Sequence, residues 1–222
     1  MTPERTRLVT VSASYGAGGS VVAPALAERL GVPFLNRATT RTGGFEGREP
    51  CFERIMPEEA GLTPVNRLLA SFIQVMPAGP TQSPPSSHHL DLRLRRQCEE
   101  GIHRLADANA GVILGRAAAV VLGKERGFHV RLDGPSNLRL VQGTTVEGVS
   151  PEQARTHMPA ADRARTAYVR RLYRADPADP RYYHLMIDST AIPLDTVIEI
   201  ILSALSSFQA PPAVPSPAQG TA

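Results

Sequence analysis

Tryptophan is absent, and lysine occurs once, at Lys124, so 23 of the 24 basic residues are arginine. Any anion this chain holds must be met by guanidinium groups, backbone N–H groups or metal. Two cysteines, Cys51 and Cys98, are too few for a disulfide framework or a thiolate metal cluster. This composition points to the cytosol, with thiols reduced. No apolar run approaches the ~18 residues of a membrane span. The best candidate, 110–123, is interrupted by Arg116. Glu4, Arg5 and Arg7 precede the first apolar run, which argues against a signal peptide. An excess of one charge is also missing: 24 basic against 21 acidic residues leave +3, no electrostatic case for nucleic acid.

What remains is a chain of 222 residues, 42% of them hydrophobic, long enough for one domain with a real core. Leu8–Val11 reads as a buried strand that runs into small residues and glycines. Val22, Leu26 and Leu30 then recur at helical spacing, with Gly31 placed to cap. Pro24 is uncomfortable beyond a first turn, which puts the helix start near Ser20 or Val21. Val32–Leu35 is a second strand. The pattern dissolves between Asn36 and Ala60, resumes as a helix over Leu62–Met76, and breaks again at Pro77, Pro80, Pro84 and Pro85. Further helices are predicted over Leu90–Ala108, Ala117–Leu122 and Leu194–Leu205, and strands over Gly111–Leu114, Phe128–Leu132 and Tyr183–Ile187. Ser150-Pro151-Glu152 opens another helix with proline at its first position. A strongly basic helix follows over Pro159–Arg174. The uncharged, proline-rich tail 209–222 is expected to be disordered.

Strands alternating with helices predict an α/β fold: a three-layer parallel sheet with helices on both faces and a helical or loop insertion. Ligands of such sheets bind beyond the carboxyl ends of the strands. Those ends are Ser12–Gly19, Asn36-Arg37, Gly115-Arg116, Asp133–Ser136 and Asp188–Thr190, most of them carrying a glycine or arginine suited to anions.

The most informative of these is Ser14-Tyr15-Gly16-Ala17-Gly18-Gly19-Ser20. Its glycines let backbone amides approach a ligand, and the following helix adds its positive dipole end. Ser20 stands where a hydroxyl binds Mg²⁺ in a P-loop. The match to that motif is incomplete: aligned on Gly18, Ala13 replaces the first glycine and Gly19 the lysine. A dinucleotide fingerprint fails too, because Val21 takes its third glycine position and Asn36 is not acidic.

Other groups carry less. His88-His89 lies in the Pro/Ser stretch without a third ligand, so solvated histidines are the simpler reading. On the basic helix, Arg163, Arg170 and Arg174 fall within ~60° of one another, a basic face that is either solvated or a cover over anions. Few aromatics accompany it, so stacking on nucleic acid is unsupported.

Val9–Ser12, Tyr15–Ser20 and Leu26–Arg37 together resemble the opening of the cytidylate kinase-like family, within the P-loop nucleoside monophosphate kinases. Gly111–Arg116 is similar to that family's central strand, and Asp162–Arg165, Tyr168, Tyr173, Asp176-Pro177 and Tyr183–Thr190 to its final third. The resemblance implies one P-loop kinase-like domain over 1–208, with an acceptor-side insertion over about 38–108 and a lid over about 144–181. It implies ATP and Mg²⁺ as cofactors and phosphoryl transfer to a nucleoside monophosphate, CMP-like. On that reading Gly16, Ala17, Gly18, Gly19 and Ser20 hold the donor phosphates and Mg²⁺. Arg37 and Arg116 clamp the acceptor phosphate, and Asp188 borders the nucleotide base or orders the last loop. Arg163, Arg170 and Arg171 close from the lid. The departures at Ala13, Gly19 and Asn36 leave a second reading open: a nucleotide-binding or regulatory protein that keeps the fold with weak or no catalysis.

Overall fold

The computed structural model describes residues 6–35, 96 and 99–209. Arg37, the helix predicted over Leu62–Met76, most of the insertion and the tail 210–222 lie outside the described residues. Five strands, β1 (Arg7–Ala13), β2 (Phe34–Leu35), β3 (Ala110–Leu114), β4 (Phe128–Asp133) and β5 (Leu185–Asp188), form one sheet in the order β2-β3-β1-β4-β5. Every pairing is parallel, as the strand–helix alternation predicts. The helices are α1 (Gly19–Leu30), α2 (99–107), α3 (Ala118–Leu122), α4 (Ser136–Glu147), α5 (Pro151–Tyr173) and α6 (Leu194–Ser207). None is long and apolar enough to cross a membrane.

Strand alternation sorts the residues into two unlike faces. Val9, Val11 and Ala13 of β1, with Phe128, Val130 and Leu132 of β4, face one way. They join Val22, Leu26, Val197, Ile201 and Leu205 of α1 and α6 in the larger core. Each of the valine, leucine, isoleucine and phenylalanine side chains, fully buried, contributes about 1.5–3 kcal/mol. The opposite face is apolar only toward one end, where Leu8 and Ile113 pack with Ile102, Ala106, Ala118 and Leu122 of α2 and α3. Further along it turns polar: Thr10 and Ser12 on β1, His129, Arg131 and Asp133 on β4. That polar stretch is roofed by α5 and becomes the site.

Three local readings change. α4 was not anticipated: Ser136–Glu147 carries little charge and no strong apolar stripe, so its period is faint. The basic helix does not begin at Pro159 but runs unbroken from Pro151 to Tyr173 with Pro159 inside. A capping box between Ser150 and Gln153 and the first-turn Pro151 nucleate it early enough to carry it through the second proline. Pro24 likewise sits within α1, which starts at Gly19; its missing N–H removes the usual i+4 donor of the Ser20 carbonyl, and Ser20 is exposed.

His129 is wholly buried on β4. Its Nε2–H donates to the Gly123 carbonyl at 2.7 Å, so Nδ1 accepts the Thr10 hydroxyl at 2.8 Å. Burial, which penalises the imidazolium, is the main reason its pKa falls to about 4. A histidine depressed in the fold lends stability that is complete above its unfolded pKa and is lost as pH drops toward the folded value. Urea unfolding should therefore show about 3 kcal/mol lost between pH 7 and pH 4 on this account. A His129→Gln variant should lack that component of the loss.

Candidate functional site

The turn between β1 and α1 is held by its carbonyls. Arg139 Nη1 donates to Tyr15 O at 2.8 Å, Gln142 Nε2 to Gly16 O at 2.9 Å, and the buried Ser189 hydroxyl to Ala17 O at 2.9 Å. Three successive carbonyls are thus anchored by side chains from α4 and the β5–α6 turn. Among the amides, Ala17 N–H returns to Ser14 O and Tyr15 N–H donates to Asp162 Oδ1 at 2.8 Å. Those of Gly16, Gly18, Gly19 and Ser20 meet no protein acceptor among the described residues. Gly16, Gly18 and Gly19 are buried, where an unmet amide is costly. An oxyanion is the kind of group whose charge the start of α1 favours and whose oxygens accept from such amides.

The glycines are required for different reasons. Gly16 and Gly18 adopt left-handed φ values of 72° and 74°. A Cβ on Gly16 would lie 2.0 Å from the Arg139 carbonyl oxygen, because α4 packs directly on the loop there. At Gly19 a Cβ would lie 2.5 Å from that of Ala13 and 3.3 Å from Leu114. The position where a P-loop carries lysine therefore has no room for a side chain on this backbone.

Beside the loop, a cavity of about 250 Å³ opens over the polar face of the sheet. Its polar lining includes Ser12, Ser14, Arg116, Arg131, Asp133, Arg139, Asp162 and Arg165. Four guanidiniums against two carboxylates leave an excess of two positive charges. Arg131 is buried and donates to Ser12 Oγ at 3.2 Å, Ser14 Oγ at 3.1 Å, Pro177 O at 2.9 Å and Asp133 Oδ2 at 2.6 Å. Burial pushes the Asp133 carboxyl up, but the Arg131 guanidinium, the Gly134 amide and the Ser14 hydroxyl outweigh it and hold the pKa below its usual value.

The sequence-predicted residues separate clearly. Arg116 is buried and lines the cavity from the end of β3. Gly115, Arg116 and Ala117 have φ of 74°, 57° and 56°, three left-handed residues in succession; such strain at a non-glycine costs roughly 1–2 kcal/mol per residue. Ser20 is exposed at the start of α1. Asp188 accepts from Thr190 Oγ1 at 2.6 Å and Thr190 N at 3.0 Å, bonds that lower its pKa, and it does not line the cavity. It orders its own turn. Arg163, Arg170 and Arg171 are exposed on α5 and none lines the cavity; Arg170 pairs with Asp176 at 2.7 Å. From that helix it is Asp162, Arg165, Thr166, Tyr168 and Val169 that face inward.

Arg131, Asp133 and Arg139 were given no individual role from the sequence, Asp133 appearing there only as the start of the strand-end segment Asp133–Ser136. The signal for the first two was the alternation of β4, where every second residue is polar while its neighbours are apolar. Arg139 follows the strand end Asp133-Gly134-Pro135 by one helical turn, in the helix whose period is faint.

Comparison with known proteins gives a consistent pattern. The family described as cytidylate kinase-like matches residues 8–191. The chain is 27% identical over 206 residues to a cytidylate kinase of Halobacterium salinarum, covering 91% of each. It is 23% identical over 202 residues to a cytidylate kinase of Natronomonas pharaonis, covering 90% of each. Among solved structures, an uncharacterized protein of Eubacterium ventriosum superposes with a TM-score of 0.59 at 19% identity, over 90% of this chain and 99% of that one.

Two substitutions test the loop geometry. Gly16→Ala should destabilise the protein by about 3 kcal/mol or more, through left-handed strain plus the clash with α4. Ala117→Gly should do the reverse, adding up to about 1 kcal/mol, since strain relief exceeds the entropy cost of glycine. Denaturant midpoints measure both.

Proposed function

The chain belongs to the cytidylate kinase-like family, and from that premise we propose that it transfers the terminal phosphoryl group of ATP to a nucleoside monophosphate of the CMP kind. The observation that carries this reading is a glycine loop whose Gly16, Gly18, Gly19 and Ser20 amides meet no acceptor among the described residues, standing beside, though not itself lining, a cavity with four guanidiniums at the carboxyl ends of the strands. Phosphoryl transfer asks a protein mainly for positioning and charge neutralisation, and this arrangement offers both.

The residues fit the nucleotide. Gly16, Gly18, Gly19 and Ser20 offer amides to donor phosphates. Arg116, with Arg37 as its proposed companion, offers a planar fork to the acceptor phosphate. Arg165 and Arg139, which face the cavity where Arg163, Arg170 and Arg171 do not, offer charge to the transferring group. No group of three or more His, Cys, Asp or Glu able to hold a metal occurs among the described residues. Mg²⁺ therefore fits as an ion carried on the nucleotide phosphates, with the Ser20 hydroxyl as the oxygen that α1 presents. ATP would supply the phosphoryl group, and Mg²⁺ would screen its charge.

One observation favours the second reading, nucleotide binding with little or no turnover. The absent lysine is not a simple substitution, because Ala13 and Leu114 close the space beside Gly19. A coupled assay with ATP, Mg²⁺ and each monophosphate in turn decides between them. Turnover on CMP or a related monophosphate is expected; saturable ATP binding with no turnover on any would leave only the second reading. Arg116→Ala should weaken monophosphate binding about tenfold to a hundredfold, the worth of charge-assisted hydrogen bonds. ATP binding should stay within about twofold, since those bonds are not made to the donor. Equal loss of both would make Arg116 a structural residue.

A further inference from the structure

Asp162 accepts a backbone amide of the glycine loop. It lies on α5, and its two oxygens are met by three donors from three segments. Oδ1 accepts from Tyr15 N–H at 2.8 Å and from Arg165 Nη1 at 3.2 Å; Oδ2 accepts from Arg139 Nη1 at 2.7 Å. Arg139 also donates to the Tyr15 carbonyl and, through Nε, to Gly134 O at 3.0 Å. The side chains of Asp162, Arg139 and Arg165 are 29%, 11% and 24% exposed, so the group is shielded yet open on the cavity side.

A backbone amide at a glycine turn flanked by two guanidiniums is the donor set that recognises a phosphoryl group. Here an anion already sits in it, and that anion is the protein's own. Arg139 Nε also lies 3.5 Å from Asp133, which Arg131 holds at 2.6 Å; three guanidiniums against two carboxylates leave one positive charge in excess, which a more highly charged oxyanion would answer better. The geometry assigns an oxyanion seat, made by Tyr15 N–H, Arg139 and Arg165, that the Asp162 carboxylate fills until a phosphoryl group displaces it. This deepens the reading of the site as a phosphoryl-transfer centre and rests on it for the class of ligand. Displacement frees Asp162 from the loop, so the hold of α5 on the loop is released by the ligand's own terminal charge.

Inorganic tripolyphosphate is the probe, with no nucleotide present, so that failure of this inference is separate from absence of kinase turnover. Asp162→Asn keeps the shape of the side chain and removes the competing charge. By calorimetry it should bind tripolyphosphate about tenfold tighter than the unaltered chain. Unchanged or weaker binding overturns the inference. So does an Asp133→Asn variant that gains as much, because general relief of negative charge in the cavity would then be enough. Should Asp162→Asn not fold, the unaltered chain is titrated by NMR. The Asp162 carboxyl carbon and the Tyr15 amide should move together along the binding curve. A carboxyl resonance that stays still while the anion saturates the loop overturns the inference.

Discussion

The site depends on how one turn disposes of its backbone polar groups. Between Tyr15 and Ala17, three carbonyls in a row are taken by side chains from elsewhere: Arg139, Gln142 and Ser189. Peptide planes are rigid, so fixing the oxygens of a turn also fixes the direction of its N–H groups. The loop is therefore pre-set to offer donors without having to reorganise when charge arrives. Left-handed Gly16 and Gly18 make the turn possible, and the direct packing of α4 on Gly16 makes it stay. The fold positions these anchors simply: α4 follows the strand on one side of β1, and Ser189 follows the strand beyond it.

Charge around the loop is arranged on the same principle. Arg131 and Arg139 are buried and each is engaged by a carboxylate, Arg131 by Asp133 and Arg139 by Asp162. Removing one member of such a pair leaves an uncompensated charge in a low-dielectric setting, so these arginines are fixed in place by their partners. Arg131 also spans the end of β1 and the Pro177 carbonyl, tying the segment after α5 to the strand that feeds the loop. Tyr183 reinforces the tie: its hydroxyl donates to the same carbonyl at 2.7 Å, and the Arg131 guanidinium lies 5.9 Å from its ring. Loop, α5 and return segment are thus linked through guanidinium groups, in a chain that has almost no lysine.

Much of this was legible in the sequence because the strongest signals are local. The parallel sheet followed from short apolar runs alternating with helical periods, and α6 from Val197, Ile198, Ile201 and Leu205 on one face. The glycine loop and Arg116 followed from their places at strand ends. What was not legible depends on pairing at a distance. Arg131 and Asp133 look like ordinary strand residues until the register sets Arg131 opposite Ser12. Arg165 differs from Arg163 by about half a turn of helix, and a helical wheel without a fixed orientation cannot say which of the two faces inward. α4 was missed because its inward face is made by Gly143 and Arg139, a glycine and a charge, which no hydrophobic period reports.

The two faces of the sheet show where packing gives way to the site. On one, Val9, Val11, Val130 and Leu132 meet α1 and α6 in a close apolar core. On the other, the same two strands present Thr10, Ser12, Arg131 and Asp133 beneath α5, and a hollow remains. Apolar residues of similar volume at those positions would commonly be neutral or stabilising, because buried ion pairs return little net stability. A sheet face shaped by stability alone would be filled. The strained succession Gly115-Arg116-Ala117 borders the same hollow, and strain of that kind persists only where the surrounding structure enforces it. Sparse packing, paired charge and left-handed backbone thus coincide at the carboxyl ends of the strands, beside amides that meet no acceptor among the described residues. Each feature opposes stability taken singly; together they suit an anionic ligand that restores the missing partners when it binds.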